Sequence, residues 1–175
     1  MRGEIAFEPA LRERVALLKG LPLGAVDEVI ATRITLMPGG RTLVQTLRAH
    51  GAYTALVSGG FTLFTGPVAA RIGFHEHRAN RLVTAGETLA GTVEEPIVGR
   101  DAKRDALVEL RARLGLDPAE TLAVGDGAND LPMMQACADA GGLSVAYHAK
   151  PKVREQAMVS IETGGLDRLL EVVRI

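Results

Sequence analysis

A chain of 175 residues, 47 % hydrophobic and 23 % charged with a mean hydropathy of +0.14, can bury one core with at most a small appendage and is ordinary for a globular protein, not a disordered one. Its 20 basic and 21 acidic residues leave a net charge of -1, which gives no broad positive field for nucleic acid or an anionic membrane, and 3 % aromatics are too few for base stacking. No stretch reaches the roughly 20 apolar residues of a membrane span, no apolar run follows Met1-Arg2-Gly3-Glu4 as in a signal peptide, and the single cysteine, Cys137, excludes an internal disulfide, so the expected compartment is the cytoplasm.

Leu11, Val15 and Leu18 recur at helical spacing and predict a helix from Glu8 to about Lys19, with Pro9 in its first turn. A second short helix follows Pro22 with Val26, Val29 and Ile30 on its apolar face, and Pro38 closes the connection. These helices form a predicted opening unit, residues 1–38. From Gly39 helices alternate with apolar strands over 39–175, the pattern of a mostly parallel sheet with helices on its faces. The predicted elements are a helix Arg41 to His50 ended by Gly51, a strand Tyr53 to Val57, a helix from about Phe61 to Ile72, and a hairpin of Arg78 to Val83 with Thr88 to Glu94. A helix Asp101 to Leu114, a strand Thr121 to Val124, a helix Leu131 to Ala138, a strand Leu143 to Ala146, a helix after Pro151, a strand near Ser160 and a helix from Leu166 complete the order.

Ligands of open α/β sheets collect at the carboxyl ends of strands, and three polar features fall at or near such positions. Directly after a predicted strand stands Gly125-Asp126-Gly127-Ala128-Asn129-Asp130, two carboxylates four residues apart with glycines that permit a tight turn. That donor set suits a hard cation such as Mg²⁺; the plainer reading is a strand-to-helix turn with Asp130 as N-cap. Ser58-Gly59-Gly60 offers a hydroxyl and unhindered N–H groups at a helix start, a phosphate-binding arrangement or a bare turn. Lys103 lies near the beginning of a helix, where the dipole disfavours a cation unless an anion is close; alone it reads more readily as a solvated lysine. Together the three describe a site for an anionic phosphate ester. The four histidines, His50, His75, His77 and His148, share no helical spacing and have no companion cysteines, which argues against a histidine metal site.

In order, Ser58, Lys103 and Gly125 to Asp130 resemble the second, third and fourth motifs of the haloacid-dehalogenase (HAD) superfamily. The blocks Val57-Ser58-Gly59-Gly60-Phe61, Ala79-Asn80-Arg81-Leu82, Val124 to Asp130 and Ala149-Lys150-Pro151 resemble its phosphoserine phosphatase branch almost end to end. The resemblance implies an α/β fold: a HAD-like Rossmannoid core with a parallel sheet and helices on both faces, plus the remaining part of a helical cap at 1–38. It implies catalytic roles for Lys103 and Ser58, and substrate contacts from Met1, Phe7, Arg14, Ser58, Gly59 and Asn129, with Arg14 pairing a substrate carboxylate. Asp126 and Asp130 would hold Mg²⁺. Without the resemblance Arg14 reads as a surface arginine and Phe7 as a hydrophobic staple.

The family opens with a strand ending in Asp-x-Asp-x-Thr, whose first aspartate attacks phosphorus and whose second protonates the leaving oxygen and then activates water. No two aspartates of this chain are spaced by one residue. The expectation is therefore a chain that lacks this segment, the central strand between those ending at Val57 and Val124, and the earlier cap helices, and that is inactive by itself. The expected reaction of the family protein is hydrolysis of O-phospho-L-serine to L-serine and phosphate through an aspartyl-phosphate. Two alternatives stay open: a non-catalytic remnant that binds phosphate or a partner through a sheet edge, and a HAD phosphatase for another small phosphate ester. The expected partner is the small-molecule ester, with no nucleic acid and no membrane; a homodimer is compatible with the sequence.

Overall fold

The structure, a computed structural model, describes residues 7–174. Two compact units emerge, one of Met1–Leu36 with Tyr53–Gly99 and one of Met37–Ala52 with Arg100–Ile175. The first boundary lies close to the cut expected after residue 38, yet residues 53–99 group with the opening helices and not with the later part of the chain.

The reason is burial. In the first unit α1 (Phe7–Ala16) presents Leu11 and Val15, and the latter is only 1 % exposed. Both pack against Leu82 and Leu89 of an antiparallel hairpin, β3 (Leu82–Ala85) with β4 (Thr88–Val93). Leu18, Leu23, Phe61, Leu63 and Ile97 surround this cluster, so α2 (Leu23–Thr32), β1 (Ala55–Phe61) and α4 (Thr62–Ile72) border it as well. An amphipathic helix of ten residues is not stable alone in water, and this apolar contact is what keeps it folded.

Two strands differ from expectation. The segment predicted as one hairpin arm, Arg78 to Val83, is divided: β2 (Glu76–Asn80) runs parallel to β1, and only after Arg81 does the chain enter the hairpin. Strand β1 continues past Val57 through Ser58-Gly59-Gly60 to Phe61, where a loop was expected. Val57 faces Arg78 and Phe61 faces Asn80, so Ser58, Gly59 and Gly60 together oppose the single Ala79. Glycines let a strand bulge in this way and still return to register.

In the second unit β5 (Leu122–Gly125), β6 (Leu143–Tyr147) and β7 (Val159–Ile161) form a parallel sheet in that order. Alternate residues of β6 serve opposite faces, as the period of two demands. Val145 and Tyr147 pack with Ile161, with Leu43 of α3 (Gly40–Ala49) and with Leu169 of α8 (Leu169–Val173). Ala146 lies in a separate cluster with Ala123, with Met134 and Cys137 of α6 (Leu131–Asp139), and with Val153 of α7 (Pro151–Arg154). This unit is thus an α/β layer with helices on both faces. Cys137 is fully buried, an apolar filler as its sequence context suggests. Helix α5 (Arg100–Leu114) buries Lys103, Ala106 and Arg111. Arg111 donates from Nη2 to Thr121 Oγ1 at 2.6 Å and from Nη1 to the Ala136 carbonyl at 3.3 Å, which fixes the helix that carries Lys103. Among the described residues no helix is long and apolar enough to cross a membrane.

Candidate functional site

The loop after β5 is built around Asp130. Its Oδ2 accepts the N–H groups of Asp126 at 3.1 Å and Gly127 at 3.0 Å, and its Oδ1 accepts Lys103 Nζ at 2.6 Å. Both side chains are buried, with 7 % of the Asp130 and 9 % of the Lys103 side chain exposed. Burial pushes the Asp130 carboxyl up, but the Lys103 hydrogen bond, the backbone N–H groups and the lysine charge together outweigh it and hold the group below the usual carboxylate range. The lysine at the opening of α5 therefore does have the anion that the helix dipole calls for, and that anion is Asp130.

This arrangement gives Asp130 a second use beside the Mg²⁺ contact expected of it, and weighs against that contact. Each of its oxygens is already engaged, and a divalent ion placed against them would meet the Lys103 ammonium. Asp130 is N-terminal to α6, yet its side chain makes no capping bond to that helix and turns back on the loop. Gly125 leaves room for this: a Cβ there would lie 2.4 Å from Asp130 Cβ and 2.8 Å from Met134 Sδ. Overpacking of that kind predicts a loss of about 1 to 3 kcal/mol for Gly125→Ala, measured as a fall in the urea midpoint at constant slope.

Asp126 differs from Asp130 in every respect. It is exposed, and among the described residues its carboxylate takes no hydrogen bond or ion pair, while its carbonyl accepts the Lys150 N–H at 3.2 Å. Asn129 is also exposed, with Oδ1 only 2.5 Å from where a Gly127 Cβ would stand. Among the described residues no three His, Cys, Asp or Glu side chains converge as a metal cage. Mg²⁺ does not require one, since it keeps several waters and takes one or two carboxylates together with substrate phosphate oxygens. The residues present fit such an ion through Asp126.

In the first unit, Ser58 Oγ accepts the Gly60 N–H at 3.0 Å, and the Gly59 carbonyl accepts Asn80 Nδ2 at 2.9 Å. Phe7 reaches the same turn: its ring atoms lie 3.6 Å from a Cβ placed on Gly59 and 3.5 Å from one placed on Gly99. Arg14 is exposed on α1 and has no ion pair among the described residues, whereas Arg12 on the same helix pairs with Glu95. Met1, also expected in the substrate pocket, lies outside the described residues. The structure thus brings Phe7, Ser58 and Gly59 together in one unit, and Lys103, Asp130 and the loop of Asp126 and Asn129 together in the other. Two further residues support these groups, Asn80 through the Gly59 carbonyl and Arg111 through the helix that carries Lys103. In the sequence Asn80 stands out only as part of the block Ala79-Asn80-Arg81-Leu82, although a polar residue closing a buried strand is itself a signal; nothing in the sequence marks Arg111 apart from other helix arginines.

A family profile described as haloacid dehalogenase-like hydrolase matches residues 2–135. The chain belongs to this family. The HAD hydrolase is 50 % identical over 179 aligned residues to the phosphoserine phosphatase of Polaromonas sp., covering 99 % of this chain and 74 % of that protein. Among solved structures it is similar to a probable phosphoserine phosphatase of Vibrio cholerae in unliganded form, with a TM-score of 0.92 and 38 % identity over 99 % of this chain. The chain spans about half of that structure, 52 %. It is also similar to a phospho-aspartyl intermediate analogue of phosphoserine phosphatase, with a TM-score of 0.85 and 36 % identity over 95 % of this chain and 77 % of the other.

Proposed function

We propose that this HAD hydrolase handles O-phospho-L-serine, in the reaction that releases L-serine and phosphate. The observation that carries the reading is the buried Lys103, held by Asp130 beside a loop whose other carboxylate, Asp126, has no partner among the described residues. A fixed ammonium neutralises a phosphate oxygen without reorganising. In the same unit Asn129 donates its amide to a phosphate oxygen, and in the other unit Ser58 offers its hydroxyl hydrogen for such a contact. Asp126 holds Mg²⁺, which when bound supplies charge neutralisation at the phosphoryl group. Phe7 shields the alcohol portion of the ester from water, and Arg14, which has no ion pair among the described residues, pairs with the carboxylate of the amino acid.

Arg14→Ala tests the substrate. A charge-assisted hydrogen bond is worth about 1.5 to 3 kcal/mol, so the dissociation constant for phosphoserine rises roughly ten- to hundredfold, while that for glycerol phosphate stays as it was. An equal loss for both esters, measured by calorimetry, removes the serine assignment.

We further propose that the attacking carboxylate of an aspartyl-phosphate pathway is not among these 175 residues, which contain no Asp-x-Asp. In support, among the described residues β1 pairs only with β2 and β5 only with β6, so each keeps one edge without a partner strand. A synthetic segment ending in Asp-x-Asp-x-Thr is expected to induce phosphoserine turnover when added to the chain. Turnover by the 175 residues alone, abolished by Asp126→Asn, would overturn this part of the proposal.

A further inference from the structure

Asn80 closes β2 and is 1 % exposed. Burying a side-chain amide is costly unless its groups are paired, and here they are. Nδ2 donates to the Gly59 carbonyl at 2.9 Å and to the Val98 carbonyl at 3.3 Å, and Oδ1 accepts the Val98 N–H at 2.7 Å. A strand-end clamp would account for the two bonds to Val98. The bond to Gly59 reaches further. The Gly59 carbonyl belongs to the same planar peptide as the Gly60 N–H, and in a trans peptide the two point in opposite directions. That N–H is the group that donates to Ser58 Oγ at 3.0 Å. One rigid plane is therefore held by Asn80 at its oxygen and by Ser58 at its nitrogen. With glycine on both sides no Cβ restrains the plane, and it can rotate at little steric cost unless something grips it. A hydroxyl oxygen that accepts from the backbone keeps its own hydrogen for another acceptor.

We propose that Asn80 is a positioning residue for Ser58: by fixing the Gly59–Gly60 peptide it holds the Ser58 hydroxyl as an acceptor toward the backbone and a donor toward a phosphate oxygen. This rests on the reading of Ser58 as a phosphate ligand. Asn80 touches no substrate in this scheme, and its effect passes entirely through one peptide plane.

Asn80→Asp tests the effect, because it preserves shape and the acceptor for the Val98 N–H but sets an oxygen against the Gly59 carbonyl and against the Val98 carbonyl. Inorganic phosphate binding, followed by ³¹P NMR and calorimetry, is expected to weaken about tenfold, the size of one lost hydrogen bond, and the Gly60 amide resonance is expected to move. Ser58→Ala weakens phosphate by a similar factor, and the double variant Ser58→Ala with Asn80→Asp binds no more weakly than Ser58→Ala alone, since both act on the same contact. Normal phosphate binding by Asn80→Asp, or losses that multiply in the double variant, overturns the positioning role. If instead Ser58→Ala binds phosphate normally, or the unaltered chain binds none, the phosphate reading of Ser58 fails and the positioning role falls with it. Should Asn80→Asp not fold, the unaltered chain still decides. The Asn80 side-chain amide and the Gly60 amide shift with one midpoint as phosphate is added, and a Gly60 response with a static Asn80 amide overturns the proposal.

Discussion

Lys103→Met is expected to lower folding stability by about 3 to 5 kcal/mol, the usual consequence of leaving one member of a buried ion pair without its partner. The substitution keeps the apolar stem, so the loss reports the charge. Asp130 would remain 5 % exposed with two backbone N–H groups as its only neutralising contacts. Exposed pairs give the contrast: Arg113 and Glu109, each near half exposed at 44 % and 46 %, contribute about 0.5 kcal/mol or less. Lys103→Met with Asp130→Asn recovers part of the loss, because no uncompensated charge is then buried. The pH dependence has a definite sign. Asp130 is held below its ordinary range in the folded chain, so its contribution is complete above the unfolded value near 3.9 and fades as pH falls through the lower folded value. Without the lysine, burial acts against a weaker set of partners and the carboxyl rises, which removes that acid-side loss. Urea midpoints of the two proteins at pH 7 and pH 3 measure both effects; coincident midpoints at both pH values would show that the ion pair contributes nothing to folding.

Long periodic elements were legible in the sequence because burial of one face sets their period. Leu11 and Val15 mark α1, Leu43 and Val44 mark α3, and the apolar run before Gly125 marks β5. Ser58-Gly59-Gly60 was not legible as strand, since glycine carries little strand preference and only the pairing of Phe61 with Asn80 draws the backbone through a bulge. Arg78 and Leu82 look like parts of one alternating run, and what separates them is the tertiary fact that β2 has β1 as its parallel partner. The division of the chain has a similar origin. The hairpin shares apolar residues with α1 across more than sixty intervening positions, a contact that no local pattern announces. At the site, residue types were readable and their partners were not. Two aspartates four apart look alike in sequence, and the approach of Lys103 is what gives them different work.

That difference sets the second large effect. Asp126→Asn is expected to leave the stability of the metal-free chain within about 0.5 kcal/mol, because the side chain is exposed and its carboxylate has no partner to lose among the described residues. With Mg²⁺ and phosphate present the two proteins diverge. A ligand at about 100 times its dissociation constant adds about 2.7 kcal/mol to the folded state it binds, so the unaltered chain melts several degrees higher, and Asp126→Asn shows none of this increment. Asp130→Asn behaves in the opposite way. It lowers the metal-free stability, since Lys103 loses its anion, but what remains folded still responds to Mg²⁺ through Asp126. Thermal melts of the three proteins with and without Mg²⁺ therefore tell a metal ligand from the anchor of a lysine. If Asp130→Asn abolishes the Mg²⁺ increment while Asp126→Asn retains it, the two roles must be exchanged, and the Lys103 ammonium would then have to share its partner with a divalent ion.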